Sequence, residues 1–101
     1  MNKAIIISGN LAQDHEFIYP YYRLLEEGFK VDVCLLEGKP VQGILGTKIP
    51  PNKNQAVKKI DEVSVNDYKI LVLPGGVKAM EKVRQEKKII NFISEFNKNT
   101  Y

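Results

Sequence analysis

Three short, almost uninterrupted apolar runs constrain this chain more than any other feature: Ala4-Ile5-Ile6-Ile7, Val33-Cys34-Leu35-Leu36 with Val31 before it, and Ile70-Leu71-Val72-Leu73. A strand with one wet face alternates apolar and polar residues, whereas continuous apolarity suits a strand covered on both faces, as in a parallel sheet between helices. Strands are therefore expected at residues 3–8, 30–36 and 68–73, as neighbours in one parallel sheet.

The segments between them carry the matching signals. From about Gln13 to Glu27 the apolar residues Phe17, Ile18, Tyr21, Leu24 and Leu25 follow helical spacing, and Gly28 is placed to end the helix in a left-handed conformation. Pro20 lies inside this helix, removes one backbone hydrogen bond and crowds the Glu16 carbonyl, so a bend is expected near Glu16. Between Gly38 and Pro51, glycines and prolines set off two β-prone pieces, Val41-Gln42 and Thr47-Lys48-Ile49, which read as a small hairpin. Asn52–Asn66 is polar and reads as loop with a turn or two of helix. A short helix is expected from Val77 to Arg84. A longer one should follow from Glu86 to Asn97, with Ile89, Ile90, Ile93 and Phe96 facing inward.

Strands alternating with helices predict a three-layer α/β sandwich with right-handed crossovers. The 101 residues suit one domain, and no linker or repeat divides them. Three strands make a meagre sheet. Asn97-Lys98-Asn99 is a good helix stop and Thr100-Tyr101 is β-prone, so a further parallel strand is expected to start there, and the domain reads as incomplete on its C-terminal side.

Several function classes lose their support. No apolar run approaches the ~20 residues of a membrane span, and the first apolar run is too short for a secretory signal. A cytoplasmic protein without a membrane partner is expected. The net charge is only +3, and the basic group Lys82, Arg84, Lys87 and Lys88 is interrupted by Glu81 and Glu86, which reads as a solvated helix face rather than a nucleic-acid surface. Cys34 is the single cysteine, so neither an internal disulfide nor a multi-cysteine zinc site is available. No Gly-x-Gly-x-x-Gly follows the first strand and no Gly-Lys-Ser/Thr occurs, so nothing calls for a dinucleotide, a nucleotide or any other cofactor.

Two polar features fall where an open α/β sheet places its ligands, at the carboxyl ends of the strands. Pro74-Gly75-Gly76 follows the third strand and precedes a helix. Glycines there let the backbone approach a substrate, and successive N–H groups can stabilise a developing oxyanion. Asp14-His15-Glu16 opens the first helix. Adjacent helical residues diverge, so the three do not converge on a metal; Asp14 suits the helix N-terminus and His15 an exposed position. Glu16, at the expected bend, would have its pKa raised by partial burial and serve as acid, base or hydrogen-bond donor.

Glu16-Phe17-Ile18-Tyr19-Pro20-Tyr21-Tyr22-Arg23-Leu24-Leu25-Glu26-Glu27-Gly28-Phe29-Lys30-Val31-Asp32-Val33 resembles the first helix and second strand of ThiJ/PfpI proteins, in the class I glutamine amidotransferase-like superfamily. Asp67-Tyr68-Lys69-Ile70-Leu71-Val72-Leu73-Pro74-Gly75-Gly76 matches a second hallmark of that family in the same order and spacing. The resemblance implies a flavodoxin-like sandwich and a cysteine-dependent hydrolase: peptidase, amidase, deglycase or glyoxalase-like, acting on a peptide or small molecule. It implies that Glu16 hydrogen-bonds and tunes the nucleophilic cysteine, and that Gly75 and Gly76 supply an oxyanion-hole N–H. In PfpI-type peptidases a glutamate of a neighbouring subunit joins the cysteine and histidine. Glu81 is its nearest match, one residue further from the glycines. The nucleophile itself would lie just after Tyr101. Cys34, inside a strand and next to no base, reads as a small buried hydrophobe.

Two function classes follow. One is the N-terminal portion of such a hydrolase, partnered by a completing segment or by further copies of itself. The other is a noncatalytic remnant that serves as a binding or oligomerisation module.

Overall fold

The computed structural model describes residues 2–10, 14–52, 54–74 and 87–98, with side chains to residue 96. Its main sheet has the strands β1 (Lys3–Ser8), β2 (Lys30–Leu35), β5 (Val57–Lys58) and β6 (Ile70–Val72), in the order β5-β2-β1-β6. Every pairing is parallel: Ile6 lies opposite Val33 on one side and Val72 on the other, and Val33 in turn lies opposite Val57. The three apolar runs are thus neighbours, as their composition requires.

Alternate residues of these strands feed two separate cores. Ile6, Val31, Val33 and Leu35 pack with Phe17 and Tyr21 of the helix α1 (Asp14–Glu26). Ile5, Ile7 and Cys34 pack with Ile89 and Phe92 of the helix α2 (Lys87–Lys98). Ile5, Ile6 and Ile7 are all fully buried, which is why this strand cannot alternate. Each such side chain contributes roughly 1.5–3 kcal/mol by leaving water.

The helical stripes are narrower than the sequence reading drew them. On α1, Leu25 is exposed and Ile18 half-buried. On α2, Ile90 is exposed while Phe92 takes the inward position with Ile89. Ile90 follows Ile89 by about 100° around the axis, which turns it off the face that Ile89, Phe92, Ile93 and Phe96 share. Helix α1 runs on through Pro20. It ends as expected at Gly28 (φ 87°): the Gly28 N–H donates to Leu25 and the Phe29 N–H to Leu24, the pairing of a Schellman cap.

The excursion after β2 forms the hairpin β3 (Val41–Gln42) and β4 (Lys48–Ile49), antiparallel as expected. The polar stretch beyond it contains more than loop. Two 3₁₀ turns, Ile60–Glu62 and Val65–Asp67, match the anticipated helical turns, but β5 adds a fourth strand. Two residues, Val57 and Lys58, between Ala56 and Lys59 carry no periodicity, so β5 exists because β2 offers it a parallel edge. The expected helix at Val77–Arg84, together with Gly75, Gly76 and Glu81, lies outside the described residues.

A candidate active-site groove at the carboxyl edge

The first turn of α1 is fixed by a carboxylate that the sequence reading assigned to the helix itself. Asp14 is buried, and its Oδ1 and Oδ2 accept from the backbone N–H groups of Leu45 (2.8 Å) and Thr47 (3.0 Å) at the hairpin tip. The side chain therefore ties the β3–β4 tip to α1. Gly43 is required beside it, since a Cβ there would collide with the Asp14 carboxylate. The Leu45 N–H, helped by the N–H and hydroxyl of Thr47, outweighs desolvation and holds the Asp14 carboxyl below its usual range.

With Asp14 facing the hairpin, the next residues turn elsewhere. His15 and Glu16 are exposed. The exposure of Glu16 departs from the partly buried carboxyl expected, because it lies outside the Phe17–Tyr21 stripe that α1 buries. What Glu16 does face is a groove of about 410 Å³, walled by His15, Tyr19 and Pro20 on α1 and by Val72, Leu73 and Pro74 at the end of β6. The helix start and the carboxyl end of β6 meet there because β6 pairs with β1, whose own carboxyl end leads into α1. Tyr19 and Leu73 as groove walls were not picked out from the sequence, whereas Pro74 opens the Pro-Gly-Gly turn that was. The available signal was helix phase: once Phe17 and Tyr21 point inward, Glu16 and Tyr19 share another side.

A second polar spot at the carboxyl ends of the strands also escaped the sequence. Glu37, just beyond β2, accepts from the Asn10 N–H (3.3 Å) through Oε2. Its Oε1 and the Ser8 hydroxyl at the end of β1 are buried, with no partner among the described residues.

Cys34 is fully buried against the α2 face, and burial, with a smaller contribution from the Glu62 charge, pushes its thiol up to about 12. A neutral, enclosed thiol is a packing group, as its sequence context suggested. Among the described residues no group of three or more His, Cys, Asp or Glu is placed to hold a metal ion, and no helix is long and apolar enough to cross a membrane. Lys88 of the basic group pairs with Asp61 at 3.0 Å on an exposed surface.

The family model described as the DJ-1/PfpI family matches residues 2–100. This chain belongs to the DJ-1/PfpI family. Deglycase PfpI of Pyrococcus furiosus is 36% identical over 88 residues, covering 87% of this chain and 49% of the relative. The chain thus spans about half the length of this DJ-1/PfpI relative. Among solved structures, a two-domain protein of Anabaena variabilis with DJ-1/ThiJ/PfpI-like and ferritin-like domains superposes with a TM-score of 0.83 at 26% identity, covering 97% of this chain and 27% of that protein. Drosophila melanogaster DJ-1beta gives 0.79 at 22% identity, covering 93% and 48%, a likeness of fold. The parallel sheet between helices is the flavodoxin-like architecture that the resemblance implied.

Proposed function

We propose that this chain is the N-terminal portion, one incomplete domain, of a cytoplasmic DJ-1/PfpI cysteine hydrolase of the peptidase, amidase, deglycase or glyoxalase-like kind. The observation that carries this reading is the groove shared by Glu16 and the carboxyl end of β6, because it brings the first family block beside the second. Pro74 on the groove wall leads directly into Gly75 and Gly76, the proposed oxyanion turn. Glu16 is proposed to hydrogen-bond the nucleophilic thiol, and Glu81 to act across a contact between copies. The thiol and its histidine would come from the half of the relatives that this chain does not span, entering beside β6, the edge strand of the described sheet. An exposed Glu16 is compatible with that role, since the completing half would cover it. The substrate is a peptide or a small molecule.

Nucleophilic catalysis needs a thiolate beside a base and an oxyanion site, so the 101-residue chain alone should show no turnover of peptide, amide or glycated substrates. Joined to the unmatched half of the Pyrococcus furiosus relative, it should gain cysteine-dependent turnover. Glu16→Gln should then slow thiol alkylation and turnover without moving the urea midpoint. Unchanged alkylation and turnover in Glu16→Gln would remove Glu16 from the mechanism. A joined protein that folds but never turns over would favour the noncatalytic module. Turnover by the chain alone that vanishes in Cys34→Ser would overturn the site.

A further inference from the structure

The backbone of α1 is weakest where the proposed chemistry needs it firm. Pro20 has no N–H, so the carbonyl of Glu16, four residues earlier, lacks its helical donor. His15 and Glu16 are exposed, and the buried residues at this end of the helix are Phe17 in the core and Asp14 beneath the hairpin. Asp14 is therefore where the first turn is fastened. The hairpin that holds it is itself anchored: Ile49 of β4 is fully buried with Phe17 and Tyr21, and Val41 of β3 packs against the same cluster. At the tip, the Leu45 and Thr47 N–H groups converge on the one carboxylate, and hydrogen bonds to an ionised acceptor are roughly twice as strong as neutral ones. The Gly43 N–H donates to the Thr47 carbonyl and the Gly46 N–H to that of Gly43, which closes the tip that presents both groups. On the other side of residues 11–13, the Gln42 N–H donates to Asn10 Oδ1 at 3.4 Å. The hairpin thus grips the chain before and after the β1–α1 connection.

From these contacts we infer that the β3–β4 hairpin positions Glu16, with Asp14 as the positioning residue. By clamping Asp14, the hairpin sets the phase of the first turn of α1 in place of the hydrogen bond that Pro20 removes. Residues two apart on a helix stand about 200° apart around its axis. A carboxylate held at the hairpin therefore turns Glu16 to the opposite side, where Val72, Leu73 and Pro74 wall the groove. The clamp acts on the backbone and touches neither the thiol nor the substrate. Its chemical consequence rests on the Glu16 reading proposed above.

A substitution cycle in the joined protein tests it, with urea midpoints confirming that each variant is folded. Asp14→Ala should slow thiol alkylation by about threefold or more, in the direction of Glu16→Gln. Asp14→Asn keeps one acceptor and should fall between Asp14→Ala and wild type. Gly43→Ala alters no residue of α1, yet should reproduce the Asp14→Ala loss by displacing the carboxylate. In the double variant, Asp14→Ala should add little to Glu16→Gln, because a positioning residue acts only through the group it positions. Wild-type alkylation in folded Asp14→Ala and Gly43→Ala overturns the inference, and so does a double variant in which the two losses add in full. Amide exchange in the 101-residue chain separates this from a failure of the Glu16 reading. The Ile18 and Tyr19 N–H groups close the first turns of α1, and Asp14→Ala should speed their exchange about tenfold or more without touching α2. Faster exchange there, with alkylation indifferent to Glu16→Gln, would fault the Glu16 reading and leave the clamp standing. Unchanged exchange overturns the clamp whatever the alkylation shows.

Discussion

Replacing Asp32 by alanine should destabilise the fold by about 2–3 kcal/mol, and the reasoning can be checked term by term. Asp32 is 5% exposed on β2, away from the proposed groove, and accepts from the Tyr68 hydroxyl at 2.7 Å and from Lys58 Nζ at 3.3 Å. Lys3 Nζ stands 3.5 Å away and also lies over the Tyr68 ring. Breaking a fully buried charge pair costs roughly 3–5 kcal/mol, but the lysines here are 22% and 37% exposed and can turn to water. The stranded Tyr68 hydroxyl, itself buried, then sets the loss at about 1–3 kcal/mol plus a smaller charge contribution. With a urea slope of about 1–3 kcal/mol per molar, the midpoint should fall by about 1–2 M. Tyr68→Phe should cost less, because the carboxylate keeps both lysines. In the double variant the two losses should fall short of additive. The pH dependence has a definite sign. Desolvation raises the Asp32 pKa, but Tyr68, Lys58 and Lys3 together outweigh it and lower the folded value. The stabilisation is therefore complete above the unfolded pKa of about 3.9 and is lost as pH falls through the lowered folded value, so wild type and Asp32→Ala should converge in acid. An unchanged urea midpoint at neutral pH, or a gap that widens in acid, would refute the argument.

Two further outcomes follow from buried groups. Cys34, held neutral up to about 12, should resist alkylation in the native chain at mildly alkaline pH and react only in urea. Rapid native labelling would contradict its burial. Because its folded pKa is raised, it should also subtract stability as pH climbs past the unfolded thiol value of about 8.5. Gly43→Ala should collide with Asp14 and release the hairpin tip, costing about 1–3 kcal/mol and opening residues 41–49 to protease. Wild-type cleavage rates and urea midpoint in that variant would dismiss the tether.

The main layers of this protein were legible in its sequence because the relevant physics is local. A run such as Ile5-Ile6-Ile7 can be satisfied only with cover on both faces, Gly28 accepts the positive φ that ends α1, and glycines and prolines mark the β3–β4 excursion. Helix phase was only half legible: Ile89 and Ile90 are equally apolar, and packing against Ile5 and Ile7 selects Ile89. Strand β5 was hidden altogether, since Val57-Lys58 becomes a strand only beside Val33 and Cys34. The polar groups were least legible, because a side-chain contact across 31 residues has no periodicity to betray it. Asp14 looked like a helix-terminal carboxylate and serves the hairpin instead. Nothing in the apolar run around Asp32 marks it as the acceptor that Tyr68, Lys58 and Lys3 surround. The sequence by itself decided which segments are buried on two faces and where the chain must turn. Only the tertiary structure decided which partner each buried carboxylate finds, because that depends on chain crossings rather than on neighbours in sequence.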